Sequence, residues 1–94
     1  MGAITTQTIL AIGPAASLQS VNDGVVVLLA DDGQLFTGNA TAEAILRLVD
    51  GRRRIAEIGA ELCEEFDVDI GAAIDDTLGI ATDLLKERIL TVVE

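Results

Sequence analysis

The rhythm of apolar and polar positions changes once along the chain, near Asn39. Before that point the segments are short and strand-like. Ser17–Val21 sets Leu18 and Ser20 against Gln19 and Val21, the period of two of a short strand. Val25–Ala30 is apolar on both faces and β-branched, as a central strand is. Gln34–Thr37 predicts a third strand. Asn22-Asp23-Gly24 and Asp31-Asp32-Gly33 separate the three, and both have tight-turn chemistry, in which Asn, Asp and Gly tolerate positive φ. Three such antiparallel strands form a meander. Ahead of them Gly13-Pro14 punctuates the chain. The apolar, Thr-rich Ala3–Ile12 before it reads as an arm or an extra strand. The chain therefore divides into an arm, residues 1–14, and a domain, residues 15–94.

After Asn39 the period becomes helical. Asn39 or Thr41 can cap a helix by accepting a backbone N–H. Ala42, Ile45, Leu46 and Val49 share one side of it, and Asp50-Gly51 stops it, with Gly in the left-handed C′ position. Ile55, Ile58, Leu62 and Phe66 make the stripe of a second helix, with Glu57, Glu61, Glu64 and Glu65 on its wet side. A third helix spans Ile70 to Arg88, and Ile89–Val93 ends as a strand-like tail. That helix carries two apolar rows: Ile70, Ile74, Leu78, Ala81, Leu85, and Ala73, Thr77, Ile80, Leu84. The arc is wider than one core contact needs, which predicts a second surface covered by the arm or by a partner. The fold class is α+β: a three-stranded antiparallel meander followed by three helices.

Composition narrows the function. The 94 residues suit one domain. Sixteen acidic against six basic residues give a formal charge of -10, which opposes nucleic acid and anionic lipid as partners. The chain has no His and one Cys, so it has no His-based triad, Cys/His zinc site or intrachain disulfide. No cofactor, metal or enzymatic activity is expected. Cys63 reads as a small, partly buried free thiol suited to a reducing cytoplasm. The longest clean apolar run, Val25–Ala30, is far short of the ~20 residues that cross a bilayer. Met1-Gly2-Ala3-Ile4-Thr5-Thr6 fits the loose myristoylation pattern, set against an ordinary N-terminus. Asp31-Asp32 and Asp75-Asp76 are adjacent pairs that do not share a helix face.

Gly33-Gln34-Leu35-Phe36-Thr37-Gly38-Asn39-Ala40-Thr41, then Asp50-Gly51, then Ile55-Ala56-Glu57-Ile58 through Leu62 and Phe66-Asp67-Val68, resembles the PqqD family. The likeness covers Ser17 to Val93. Its most specific points are the Asn39–Thr41 spacing, the Asp50-Gly51 helix stop and Phe66-x-Val68. This chain departs from the family pattern at Leu35 (usually aromatic), Gly38 (usually Leu), Arg52-Arg53-Arg54 (a Ser/Thr cap) and Arg88 (a helix-ending Gly).

The resemblance implies a winged helix-turn-helix domain that binds the leader of a ribosomally made precursor peptide. It implies a separate modifying enzyme as second partner, such as a radical S-adenosylmethionine enzyme or a leader peptidase and cyclase. Pyrroloquinoline quinone and lasso-peptide maturation are both pathways of this kind. It further implies that the leader docks as an added strand on the third strand, beside the third helix. An edge strand offers unpaired N–H and C=O groups, and adjacent apolar pockets read alternate side chains. The expected peptide-binding residues are Gln34, Leu35, Phe36, Thr37 and Gly38 with Ile74, Thr77, Leu78, Ala81 and Leu84. Arg52, Arg53 and Arg54 are either a solvated turn or anchors for an acidic leader or the partner enzyme. The alternatives are a winged-helix protein–protein adaptor and a structural homodimer. Leu35 and Phe36 point to opposite sides of their strand, so the arm either covers the exposed one or leaves it to a guest.

Overall fold

The computed structural model describes residues 4–93; Gly2, on which the myristoylation pattern turns, lies outside them. Strand β1 (Leu10–Ile12) is followed by the meander β2 (Ala16–Val21), β3 (Gly24–Leu29) and β4 (Gln34–Asn39). Helices α1 (Ala40–Leu48), α2 (Ile55–Phe66) and α3 (Ile70–Lys86) come next, then β5 (Leu90–Val92). The meander sheet is antiparallel in the order β2-β3-β4, so β2 and β4 are its edges. A separate two-stranded sheet pairs β1 with β5.

One sheet face carries the core. Val25, Val27 and Leu29 are buried on it, and register places Gly38 opposite Val25 and Phe36 opposite Val27. Against this face packs α1, through Ala42, Ile45 and Leu46, and the α2–α3 pair, through Ile58, Leu62, Ala73, Ala81 and Leu84, packs together and against α1 to complete the same core. The helices meet closely because Gly59 of α2 has no side chain: a Cβ there would stand 2.7 Å from Cγ1 of Ile74. The wide apolar arc of α3 is thus covered largely by its own chain. Thr77, fully buried, satisfies its hydroxyl by donating to the Ala73 carbonyl at 2.7 Å.

The second turn follows its residue chemistry, and the first does not. Gly33 adopts φ 71°, but Asn22, Asp23 and Gly24 all keep negative φ. Gly24 is needed for proximity instead, because a Cβ there would overlap the Gly38 carbonyl oxygen across the β3–β4 ladder. Asn39 caps α1, its Oδ1 accepting the Ala42 N–H at 3.0 Å. The stop of α1 differs from expectation. Val49 turns extended at the C-cap, and Gly51 takes its positive φ of 78° two residues later.

At that corner the Asp50 Oδ1 accepts the backbone N–H groups of Arg52 (2.9 Å) and Arg53 (2.8 Å). These bonds, that of Arg53 foremost, hold the Asp50 carboxyl below the usual carboxylate range. A depressed folded-state value means the contribution is complete above the unfolded value of about 4 and is lost as pH falls through the folded value. Asp50→Ala should therefore cost stability at neutral pH and flatten part of the acid-side decline in chemical denaturation. An unchanged acid profile would exclude this role.

Among the described residues the arm does not pair with β4. Its strand β1 lies on β5, and its earlier residues bind the start of α2, with the Ile55 and Ala56 N–H groups donating to the Thr8 and Thr6 carbonyls. Leu10, 1% exposed, belongs to the same core as the domain. Helix α3 stops at Lys86, earlier than Arg88, where Arg88 itself adopts a left-handed φ of 64°. Glycine takes that conformation without cost, so arginine there is strained. Its guanidinium donates to Asp32 at 3.1 Å and ties the end of α3 to the β3–β4 turn.

Candidate functional site

Two flanks of the core sheet are open, and their chemistry differs. Beside β2 a cavity is lined by Leu18, Ser20, Val25, Glu43, Leu46 and Arg47. A polar chain crosses that flank. The Ser20 hydroxyl donates to Glu43 at 2.9 Å, and Arg47 donates to Glu43 and to Glu65, the latter at 2.8 Å. The Glu65 hydrogen bond first, then that of Glu43, raises the Arg47 pKa above its ordinary value, so Arg47 stays charged and committed within the chain.

The β4 flank is more apolar. A cavity of about 240 Å³ lies between β4 and α3, lined by Phe36, Thr37, Gly38, Asn39, Ala42, Ile80, Asp83 and Leu84. Its walls follow from the sequence. The β4 alternation turns Phe36 and Gly38 toward the helices and leaves Leu35 68% exposed on the opposite face, beside its ladder partner Leu28. Helix α1 starts at the end of β4 and places Ala42 over Gly38. A Cβ on Gly38 would stand 2.8 Å from that of Ala42, so glycine here permits the close strand-to-helix crossing that shapes the floor. On its outer side β4 has no strand neighbour among the described residues.

A second cavity, also about 240 Å³, is lined by Thr41, Leu62, Phe66, Val68, Ala73 and Asp76. Thr41 adjoins Ala42, and Asp76 lies one helical turn before Ile80. The two cavities therefore lie end to end along α3, past the start of α1.

Of the expected residues, Phe36, Thr37, Gly38 and Leu84 line the β4–α3 cavity, while Gln34 and Leu35 belong to the same strand without lining it. Ile74, Thr77, Leu78 and Ala81 stand elsewhere. Ile74 packs against α2 at Gly59, Thr77 and Ala81 are fully buried, and Leu78 sits against the core. The phase of α3 explains this difference, because its groove side runs through Asp76, Ile80 and Asp83. Ile80 and Leu84, of the second apolar row of α3, both line the β4–α3 cavity, whereas the sequence gives no signal that assigns Asn39, Ala42 or the cavity at Phe66 and Val68 to the site. Arg52, Arg53 and Arg54 line neither cavity. Arg53 donates to the Leu48 carbonyl and to Asp50, and Arg54 donates to the Gln7 carbonyl, which braces the arm.

Among the described residues no three His, Cys, Asp or Glu side chains are grouped to hold a metal ion. Nor is any described helix long and apolar enough to cross a membrane.

Residues 24–90 match the family model described as Coenzyme PQQ synthesis protein D (PqqD). A comparison with curated proteins finds no match. Among solved structures, TbiB1 in complex with the TbiA(beta) leader peptide is similar with a TM-score of 0.76 and 26% identity, over 85% of this chain and 93% of that one. A lasso peptide synthetase B1 complexed with the leader peptide has a TM-score of 0.76 at 22% identity, over 87% and 96%. The solution structure of the PqqD truncation of Methylobacterium extorquens PqqCD, a stand-alone recognition element for ribosomally synthesised and post-translationally modified peptides, has a TM-score of 0.80 at 24% identity, over 95% of both chains.

Proposed function

The chain belongs to the PqqD family, and from that membership we propose that it is a non-catalytic module which binds the leader of a precursor peptide by strand addition and presents it to a separate modifying enzyme. The observation that carries the reading is the β4 edge. Among the described residues it has no strand partner, the N-terminal arm from residue 4 is engaged on β5 and α2, and an apolar cavity runs alongside between β4 and α3. A strand laid there pairs its backbone with β4 and turns alternate side chains into the cavity. Its neighbours TbiB1 and the lasso peptide synthetase B1 are each seen with a leader peptide, which supports the same class of ligand here. The chemistry belongs to the partner enzyme, and the reducing cytoplasm suits the free thiol of Cys63.

Fluorescence anisotropy with the labelled leader of the precursor peptide encoded beside this chain's gene tests the proposal. Saturable one-to-one binding is expected, with the chain monomeric. No binding at about 100 μM, a weak affinity for a specific interaction, would count against it. A dimer that closes the β4 edge would favour the homodimer instead.

A further inference from the structure

The two cavities along α3, one of them beside β4, share one charged feature. Asp76 lines the second and Asp83 the first, and with Ile80 between them they form an i, i+4, i+7 stripe on the groove side of α3. Both aspartates are exposed, and neither makes an ion pair or side-chain hydrogen bond among the described residues. No basic side chain lines either cavity. The ion-paired arginines all point elsewhere: Arg47 to Glu43 and Glu65, Arg53 to Asp50, Arg88 to Asp32. Beyond Asp76 the groove ends in the apolar cavity walled by Leu62, Phe66 and Val68, the last two 36% and 42% exposed.

Resting on the strand-addition reading, we propose that this groove selects a cationic leader segment. Lysine or arginine side chains on the helix-facing side of the added strand meet Asp83 and Asp76, and an apolar side chain beyond them enters the Phe66–Val68 cavity. This is the opposite charge to the acidic leader that the anchoring alternative for Arg52–Arg54 would take, and that run stands outside the groove. Spacing permits the match. Seven helical residues separate the two carboxylates by about 10.5 Å along α3. Alternate residues of a strand are about 7 Å apart, and every fourth about 13 Å. The flexible stems of lysine and arginine cover the difference of about 3 Å in either direction. A formal charge of -10 draws any cation toward the molecule, but only a fixed pair along α3, starting beside β4 at Asp83, sets register along the strand.

The test pans a random peptide library displayed on phage against three folded proteins. They are the wild type, Asp76→Asn with Asp83→Asn, and Glu61→Gln with Glu64→Gln. The last makes the same change in net charge on the exposed side of α2, away from the groove. Wild-type selections should enrich Lys or Arg at a fixed spacing from an apolar anchor. For the best synthetic peptide, the groove pair should cost about fivefold or more in affinity. The α2 pair should cost less than about twofold. Equal losses in both variants would overturn the proposal in favour of diffuse attraction. Peptides that compete for the groove without a basic preference would overturn it while leaving strand addition intact. Failure to recover any groove-binding peptide would overturn strand addition itself, and this proposal with it.

Discussion

Ile80→Glu should weaken leader binding by at least about thirtyfold while the chain stays folded. Ile80 is half-buried at the mouth of the β4–α3 cavity, between Asp76 and Asp83 on the same stripe. In the free chain a glutamate can lift its carboxylate into water, so the cost to folding is small. A bound strand would cover that carboxylate among apolar side chains, with the leader's cations held by Asp76 and Asp83 on either side, so the charge would be desolvated without a partner of its own. Ile80→Met keeps the apolar volume and should bind within about threefold of wild type. Anisotropy titrations, paired with thermal melts, separate the two effects. Wild-type affinity in a folded Ile80→Glu variant would show that the guest does not enter this cavity. Ile74→Glu and Leu78→Glu are poorer probes, because those side chains pack on α2 and the core and would chiefly report folding.

Gly24→Ala should cost about 3 kcal/mol, or roughly 15 °C in melting temperature. The added Cβ is directed at the Gly38 carbonyl oxygen across the β3–β4 ladder. That atom is backbone, so no rotamer change relieves the overlap and β4 must shift away from β3. The same shift moves Gly38 and Phe36 in the groove, so binding should weaken along with stability. A chain that tolerates alanine here without loss in urea denaturation would contradict the close approach. Gly33→Ala is the contrasting case: nothing stands within 4 Å of a Cβ there, and only its positive φ is strained. It should cost about 1 kcal/mol, the usual penalty for a side chain in that conformation.

How far the sequence reaches is visible in these same residues. The meander, the three helices, the Asn39 cap and the Asp31–Gly33 turn were legible because each rests on local chemistry or on a period within one element. Local chemistry marks Gly24 as a turn residue, but its use depends on an atom fourteen positions away, at Gly38. The arm's destination rests on the pairing of Leu10–Ile12 with Leu90–Val92, at opposite ends of the chain, which no local pattern encodes. The edge strand of the site was legible for the same reason as the meander. The helix side is legible only in part: the second row reaches the groove through Ile80 and Leu84, but α3 is apolar over a wide arc and several phases fit it. Packing on Gly59 selects the phase, sending Ile74 inward to α2 and Ile80 outward to the groove. Asp76 and Asp83 look like two acids among sixteen until that phase is known. Arg88 carries the reverse lesson. It stands where glycine belongs in the family pattern and still takes the left-handed turn, held by its pair with Asp32.

Hydrogen–deuterium exchange, read amide by amide across residues 34–39 with and without the leader peptide, tests strand addition most directly. Those β4 amides that face away from β3 should exchange quickly in the free chain and slow by at least about tenfold when the peptide pairs with them, alongside protection near Ile80. Protection confined to β2 or α1, with the outer β4 amides still open at saturating peptide, would contradict it.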